Sequence, residues 1–296
     1  MAKNQGASTD HQMKDPTHEI VRQPQTTLEK AKKQDKDRAS GRTIKETLLH
    51  PKIMGIVWLF VIWQIASLLT PADLLPPPNV VIREVVVRVI LQEGFLTHVG
   101  ATFIRILIGF SISYMIGMSM GVMMGTKKFW EEFFTDYVII GLTIPSLAWA
   151  IIDVLWFGLK PLTPVFATVM IVFPYVAANF WEGVKAVDKD LVDMARAFDV
   201  SKKRIIWHVY IFSLLPYSLA AARIGFSISW KIVIVGEVFG ASSGIGYMIY
   251  YWYHMFNMRL VLAWLLFFTL CMLILEYFVI KKLERTLLVW RPQAIL

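Results

Sequence analysis

Seven charged residues fall within or at the edges of the long apolar runs of this 296-residue chain: Arg105, Asp136, Asp153, Arg223, Lys231, Glu237 and Glu276. On insertion scales a Lys or Asp at the centre of a membrane helix costs about 2.5–3.5 kcal/mol, so each needs a partner, water or an interface position. Arg105, Asp136, Glu237 and Glu276 lie near run ends, where snorkelling or local pairing suffices. Asp153 and Lys231 lie deeper and are candidates either for a polar pathway or for a structural ion pair. Ser227 and Ser229 are close to Lys231 in sequence, and with it could line a route for a small anion.

Other chemistries lack their residues. The chain has no Gly-x4-Gly-Lys-Ser/Thr loop, so it is not expected to hydrolyse ATP. It has no His-Glu-x2-His, Gly-x-Ser-x-Gly or Cys-x2-Cys. One Cys, Cys271, and 6 scattered His offer neither an internal disulfide nor metal-ligand spacing, so no catalytic residue, metal site or bound cofactor is expected. An intramembrane enzyme would need several titratable groups placed for chemistry, and the deep runs supply only Asp153 and Lys231. A stand-alone channel or secondary transporter remains the alternative. It would usually show inverted repeats with broken helices or a relay of carboxylates, and no clear repeat is present.

The elements that must hold these charges are membrane spans. The chain is 56% hydrophobic and 18% charged, an apolar fraction rare in a soluble domain. Its apolar residues come in runs of about 20, the length that crosses a hydrocarbon core of about 30 Å. This predicts an all-α membrane protein with spans over residues 53–69, 101–125, 134–158, 162–184, 214–239 and 260–280. Small residues recur every fourth position in the second span: Gly109, Ser113, Gly117, Gly121 and Gly125. That stripe predicts close approach of another helix, and Ala221, Gly225 and Ser229 repeat it in the fifth. Pro145 interrupts the third span and Pro174 lies inside the fourth; a packed bundle re-satisfies the carbonyls they free. Asn79 is placed to cap a short amphipathic helix over residues 80–91. Residues 1–50 have almost no apolar periodicity and read as a polar, disordered tail, with no apolar stretch after Met1 to suggest a cleaved signal peptide.

Six spans put both termini on one side. Of 30 Lys and Arg, 23 fall on that side, 4 on the other and 3 within spans; without the residues up to Lys52 the bias is still 12 to 4. The positive-inside rule then predicts a multi-pass protein of the cytoplasmic membrane with both termini, and the polar insert 189–216, in the cytoplasm. Basic residues confined to tails and membrane-flanking loops argue against nucleic acid as a partner.

That insert, KDLVDMARAFDVSKKRIIWHVYIFSLLP, is too polar to cross. Val187, Leu191, Met194, Ala195 and Phe198 share one predicted helical face, with Asp188, Asp190, Asp193 and Arg196 mainly opposite. Ser201 is placed to cap a second helix that runs through Ile205, Ile206 and Val209 into the fifth span. An anionic leaflet would repel three Asp in six residues, so a protein partner is the better occupant.

Here the sequence resembles the membrane subunits of ATP-binding-cassette importers that work with a solute-binding protein. Their cytoplasmic loop carries Glu-Ala-Ala-x3-Gly-x9-Ile-x-Leu-Pro. At that spacing Asp193 stands for the Glu, Met194 and Ala195 for the Ala pair, and Asp199 for the Gly. Val209, Ile211 and Phe212 stand for the Ile, Leu and Pro, and Pro216 matches a second proline common in the family. The stretches PPPNVV, TFIRILIGF, LWFGL, ARIGFSISWKIVIVGEVFG, GIGYMIYYW and LERTLLVWRP look like the nitrate/sulfonate/taurine branch, over residues 53–292. The resemblance implies a type I importer permease of six transmembrane helices over residues 51–296, with a coupling loop at about 185–212. It also implies a second permease subunit, expected to be another copy, and two cytoplasmic ATPase subunits that hold ATP and Mg. An extracytoplasmic binding protein would deliver a nitrate-, sulfonate- or taurine-like anion or a related small organic solute.

Overall fold

The computed structural model describes residues 51–280 and 282, and among these every regular element is a helix. The N-terminal tail assigned to residues 1–50 and the terminal LERTLLVWRP stretch lie outside the described residues. The chain divides at residue 65 into two compact units. The division falls within α1 (Pro51–Leu69), an apolar helix on which Phe60 and Trp63 stack at 6.1 Å.

The second unit is a helical bundle. α2 (Pro78–Glu84) continues through wider turns to Ile90 and packs on α11 (Met258–Leu275). Between them run α3 (Phe95–Thr126), α4 (Lys128–Thr143), α5 (Ser146–Phe157) and α6 (Thr163–Lys185). α7 (Lys189–Ala197) and α8 (Lys202–Ile205) follow, then α9 (Ile211–Gly240) and α10 (Ile245–His254). Asn79 does not cap α2: the helix starts at Pro78, whose fixed φ suits a first turn, and no side chain caps it.

Among the described residues, four helices, Phe95–Thr126, Thr163–Lys185, Lys202–Gly240 and Met258–Phe278, are long and apolar enough to cross a membrane. The α4–α5 pair passes the same test only as a broken span, bent by 96°. The run 134–158 is therefore two helices. Ile144 before the proline is extended (ψ 125°), the geometry the proline ring imposes on its predecessor, and α4 ends there. Pro174 lies inside α6, which stays whole, and its ring packs on α4 at Gly141, where a Cβ would lie 2.5 Å from it.

α6 is the hub. Of its apolar window 61% is buried, against 28% in α3 and 11% in the α8–α9 rod. Trp149, Ala167, Ile171 and Ile232 join α5, α6 and α9; Met124, Val138 and Ala177 join α3, α4 and α6. The rod from Lys202 to Gly240 has 39 residues. At a rise of about 1.5 Å per residue it reaches about 58 Å, well beyond a hydrocarbon core of about 30 Å. A rod of that length extends beyond the core, and the α7 loop leads into its N-terminal part.

Candidate functional site

The polar loop is built around a small core of its own. Val187, Val192 and Ile205 are buried together, with Ala195, Val200, Val209 and Tyr210 against them. This splits the expected α7 face: Val187 and Ala195 turn inward, while Leu191, Met194 and Phe198 are 45%, 54% and 78% exposed. Val192, which the periodicity did not select, takes the inward place because the core lies on the side of the returning α8 rather than beneath the whole stripe. Asp188 caps α7 by accepting the Asp190 N–H at 2.9 Å. Ser201 occupies the corresponding position on α8 but makes no side-chain cap bond.

The end of α7 explains the residue at 199. Asp199 has φ +54°, a left-handed conformation. Its N–H donates to Arg196 O at 3.0 Å and the Val200 N–H donates to Ala195 O at 3.0 Å, the paired bonds of a Schellman terminus. Ala195 and Val200, at the positions whose apolar side chains accompany that motif, both pack against the loop core. Asp193 is exposed and pairs with Arg196 at 3.3 Å. Ile211 and Phe212 are exposed on the first turn of α9, and Pro216 sits inside that helix. Upstream, Lys185 pairs with Glu131 and lies 4.5 Å from the Trp181 ring, fastening the start of the loop to α4 and α6.

The small-residue stripes both close on α6. A Cβ on Gly109 would lie 2.8 Å from Thr168, and one on Gly117 2.6 Å from the Phe173 carbonyl. Gly121 meets the Ala177 carbonyl and Gly125 meets Val184 more closely still. Ser113, buried in the same stripe, donates to Gly109 O at 2.6 Å. From α9, Gly225 approaches Val176 (3.2 Å from a built Cβ), with Ala221 and Ser229 buried beside it.

At the other end of α3 and α9 lies a buried polar network that sequence reasoning did not assemble. Arg105 Nη1 donates to Glu237 Oε1 at 2.6 Å and to Ser243 O at 2.6 Å; its Nε donates to Pro161 O at 2.6 Å. Glu237 also accepts from the Thr102 hydroxyl at 2.9 Å and the Gly246 N–H at 2.8 Å. Thr102 accepts the Ile245 N–H at 2.8 Å, and His98 Nδ1 accepts the Gly244 N–H at 3.2 Å. Three segments (α3, the α5–α6 loop and the α9–α10 loop) are thereby tied. A signal was present: His98, Thr102 and Arg105 continue the Gly109 stripe toward the start of α3.

The deep pathway candidates do not form one cluster. Asp153 is fully buried and accepts the Ala167 N–H of α6 at 3.2 Å; its other oxygen has no partner among the described residues. Ser229 is fully buried and donates back to Gly225 O at 2.7 Å. Lys231 is exposed and leans over Trp230 at 5.4 Å. Ser227, one turn before it, is half-buried on the same side of α9. Arg223 pairs with Glu276 at 3.2 Å, and Asp136 is exposed beside Glu132 and Trp181 in a recess near the start of α4.

A family described as the binding-protein-dependent transport system inner membrane component matches residues 113–286. The chain belongs to this family. It is 32% identical to the formylaminopyrimidine transport permease protein ThiX of Halalkalibacterium halodurans, over 83% of this chain and 97% of that one. It is 28% identical to the putative aliphatic sulfonates transport permease SsuC of Bacillus subtilis, over 90% and 95% of the two chains. Identity to the taurine transport system permease TauC of Escherichia coli is 25%, over 80% and 88%. Among solved structures, a chain of the MetNI methionine ABC transporter in an inward-facing conformation has a similar fold (TM-score 0.57, 15% identity, 65% of this chain and 95% of that one). The protein is a multi-pass membrane permease subunit of an ABC importer. The family works with ATPase and substrate-binding partners, and the stand-alone channel or secondary transporter is not favoured.

Proposed function

We propose that residues 51–296 form one permease domain of six spans, α1 being the first and the bent α4–α5 pair the third, with both termini cytoplasmic. Two copies of the chain form the translocation pathway in the cytoplasmic membrane. The segment 185–212 is the coupling loop, and α7 sits in a groove of a cytoplasmic ATPase that holds the ATP and Mg; this chain holds no cofactor. Asp193, Met194 and Ala195 lie on the docking helix, Asp199 ends it, and Val209, Ile211, Phe212 and Pro216 lead its motion into α9. An extracytoplasmic binding protein delivers the solute, a nitrate-, sulfonate- or taurine-like anion or a related small organic compound.

The observation that carries this reading is the outward row Leu191, Met194 and Phe198 on a helix closed at both ends, at the foot of a rod too long for the bilayer. Exposed apolar residues beside Asp188, Asp190 and Asp193 suit a protein groove better than anionic lipid. The 12-to-4 bias of Lys and Arg supports the orientation. The test is co-purification from native membranes together with uptake in cells. A nucleotide-binding subunit should accompany the chain, and uptake should cease on ATP depletion; no such subunit, with uptake indifferent to ATP, would overturn the reading.

A further inference from the structure

Lys231 is the cation of the spans that forms no ion pair among the described residues. Arg105 has Glu237, Arg223 has Glu276, and Asp153 is held on α6. The described contact of the Lys231 ammonium is the Trp230 ring, and among the described residues it forms no ion pair. It lies nine residues before Gly240, the end of α9. At a rise of about 1.5 Å per residue that is about 14 Å along the helix from its end, about half the thickness of a core of about 30 Å. Lysine at that depth costs about 2.5–3.5 kcal/mol unless something compensates it.

The buried face of α9 is Ala221, Gly225, Ser229, Ile232, Val233 and Gly236; Lys231 stands on the other side, with exposed Ala220 and Ile224 in line through Ser227. The Ser227 hydroxyl is uncommitted among the described residues, whereas those of Ser113, Ser119 and Ser229 bond back to the helix. A second copy of this chain offers little remedy. Glu237 and Asp153 are fully buried, Glu276 is paired, and Asp136 lies in the recess near the start of α4. No described carboxylate stands exposed at mid-span to meet Lys231 across a subunit interface.

We propose that Lys231 and Ser227 form an anion-binding point on the translocation pathway, so that the solute itself supplies the missing negative charge. This rests on the reading of the chain as a pathway-forming permease. An ammonium and one hydroxyl donor suit a compact oxyanion such as a sulfonate, nitrate or small carboxylate. A neutral pyrimidine, the solute class in the name of the ThiX relative, would leave Lys231 uncompensated.

The test needs neither the ATPase nor the binding protein. The full chain carrying Cys271→Ala and Ser227→Cys is reconstituted in lipid and treated with two methanethiosulfonates of similar size, one bearing a sulfonate and one a trimethylammonium. Rates are normalised to those with a free thiol in solution. The anionic reagent should react faster by roughly tenfold, because the ammonium lies one helical turn away. Lys231→Met should abolish that preference, Lys231→Arg should keep it, and added methanesulfonate should slow labelling only while the positive charge is present. If neither water-soluble reagent reacts, the position faces lipid and the proposal fails. It also fails if the preference survives Lys231→Met. Failure of ATP-driven uptake would overturn the importer reading and leave the labelling result standing.

Discussion

Arg105 and Glu237 meet at 2.6 Å across 132 residues of sequence, with side chains 4% and 0% exposed. Neither charge reaches water, and neither answers only the other. The guanidinium also holds the carbonyls of Pro161 and Ser243, and the carboxylate also holds Thr102 and the Gly246 N–H. The pair is therefore the knot of a network that fixes two loops to the bundle, which is how two buried charges become tolerable.

Glu237→Ala should leave Arg105 buried without its counter-charge and cost about 3–5 kcal/mol. Glu237→Gln should cost less, since its amide oxygen can still accept from Arg105 or Gly246. The exchanged pair Arg105→Glu with Glu237→Arg should not recover wild-type stability, because the backbone partners do not exchange with the side chains. Thermal unfolding of the purified chain in one detergent ranks the three. A Glu237→Ala protein that melts with the wild type would show the network to be dispensable.

Gly244 borders the same knot. Its φ is +118° and its ψ is 172°. That conformation is open essentially to glycine, and a Cβ there would collide with the Glu237 carboxylate. Gly94 also has positive φ, +79°, but has nothing within 4 Å of a built Cβ. Gly244→Ala and Gly94→Ala both incur backbone strain of roughly 1–3 kcal/mol, and only the first adds a collision. Gly244→Ala should therefore lower the melting temperature clearly more than Gly94→Ala; equal effects would remove the steric part of the account.

Local order and long-range order differ sharply in how they are written in this chain. The stripes Gly109–Gly125 and Ala221–Ser229 are periodic, so the faces turned to α6 were legible, and so was the amphipathic character of α7. Pro145 and Pro174 look alike in sequence, yet one breaks its helix and the other lies inside α6 with its ring packed at Gly141 of a different helix. Leu191, Met194 and Phe198, three of the five residues expected on one face, turn outward because Val192, Val200 and Ile205 come together only after the chain turns at Asp199. The partners of Arg105 and Glu237 were hidden for the same reason. Pro161 O and Ser243 O lie in distant loops and the Gly246 N–H lies on the first turn of α10, backbone groups of which residue type carries no mark.

The α3 stripe makes a graded prediction. Gly117→Ala places a methyl 2.6 Å from the Phe173 carbonyl and from Val176, and backbone on both helices leaves little room to yield. Overpacking of this kind costs about 1–3 kcal/mol, and Gly117→Val should cost more. Gly100→Ala on the same helix meets nothing within 4 Å. It should be neutral or stabilising by up to about 1 kcal/mol through helix propensity. Detergent melts should rank Gly100→Ala highest, Gly117→Ala next and Gly117→Val lowest, and a harmless Gly117→Val would mean that α3 and α6 are not held at this distance.

Asp199 carries a conformational cost that glycine would not, its φ being +54°. Asp199→Gly should stabilise the end of α7 by about 1 kcal/mol, whereas Asp199→Val, β-branched at positive φ, should unseat the turn. In a reconstituted transporter the Gly variant should retain transport-coupled ATP hydrolysis, and the Val variant should hydrolyse ATP with little transport. A loss of coupling on Asp199→Gly would instead assign the carboxylate itself a contact with the ATPase.

Stability and docking can be separated on α7, because its two rows face opposite ways. Phe198 is 78% exposed, so Phe198→Asp should change the melting temperature of the isolated chain little. Surface changes are usually within about 0.5 kcal/mol. The substitution should nevertheless weaken ATPase association, since an apolar side chain entering a groove would be replaced by a charge that must be desolvated there. Val192→Asp puts the same charge into the loop core beside Val187 and Ile205, and should loosen the loop whether or not an ATPase is present. Hydrogen exchange of residues 185–212 in the isolated chain reads the second effect, and co-purification with the ATPase reads the first. Phe198→Asp should lose the partner while keeping wild-type protection. If protection is lost with the partner, Phe198 belongs to the loop's own packing, and the outward row on α7 is not the docking surface.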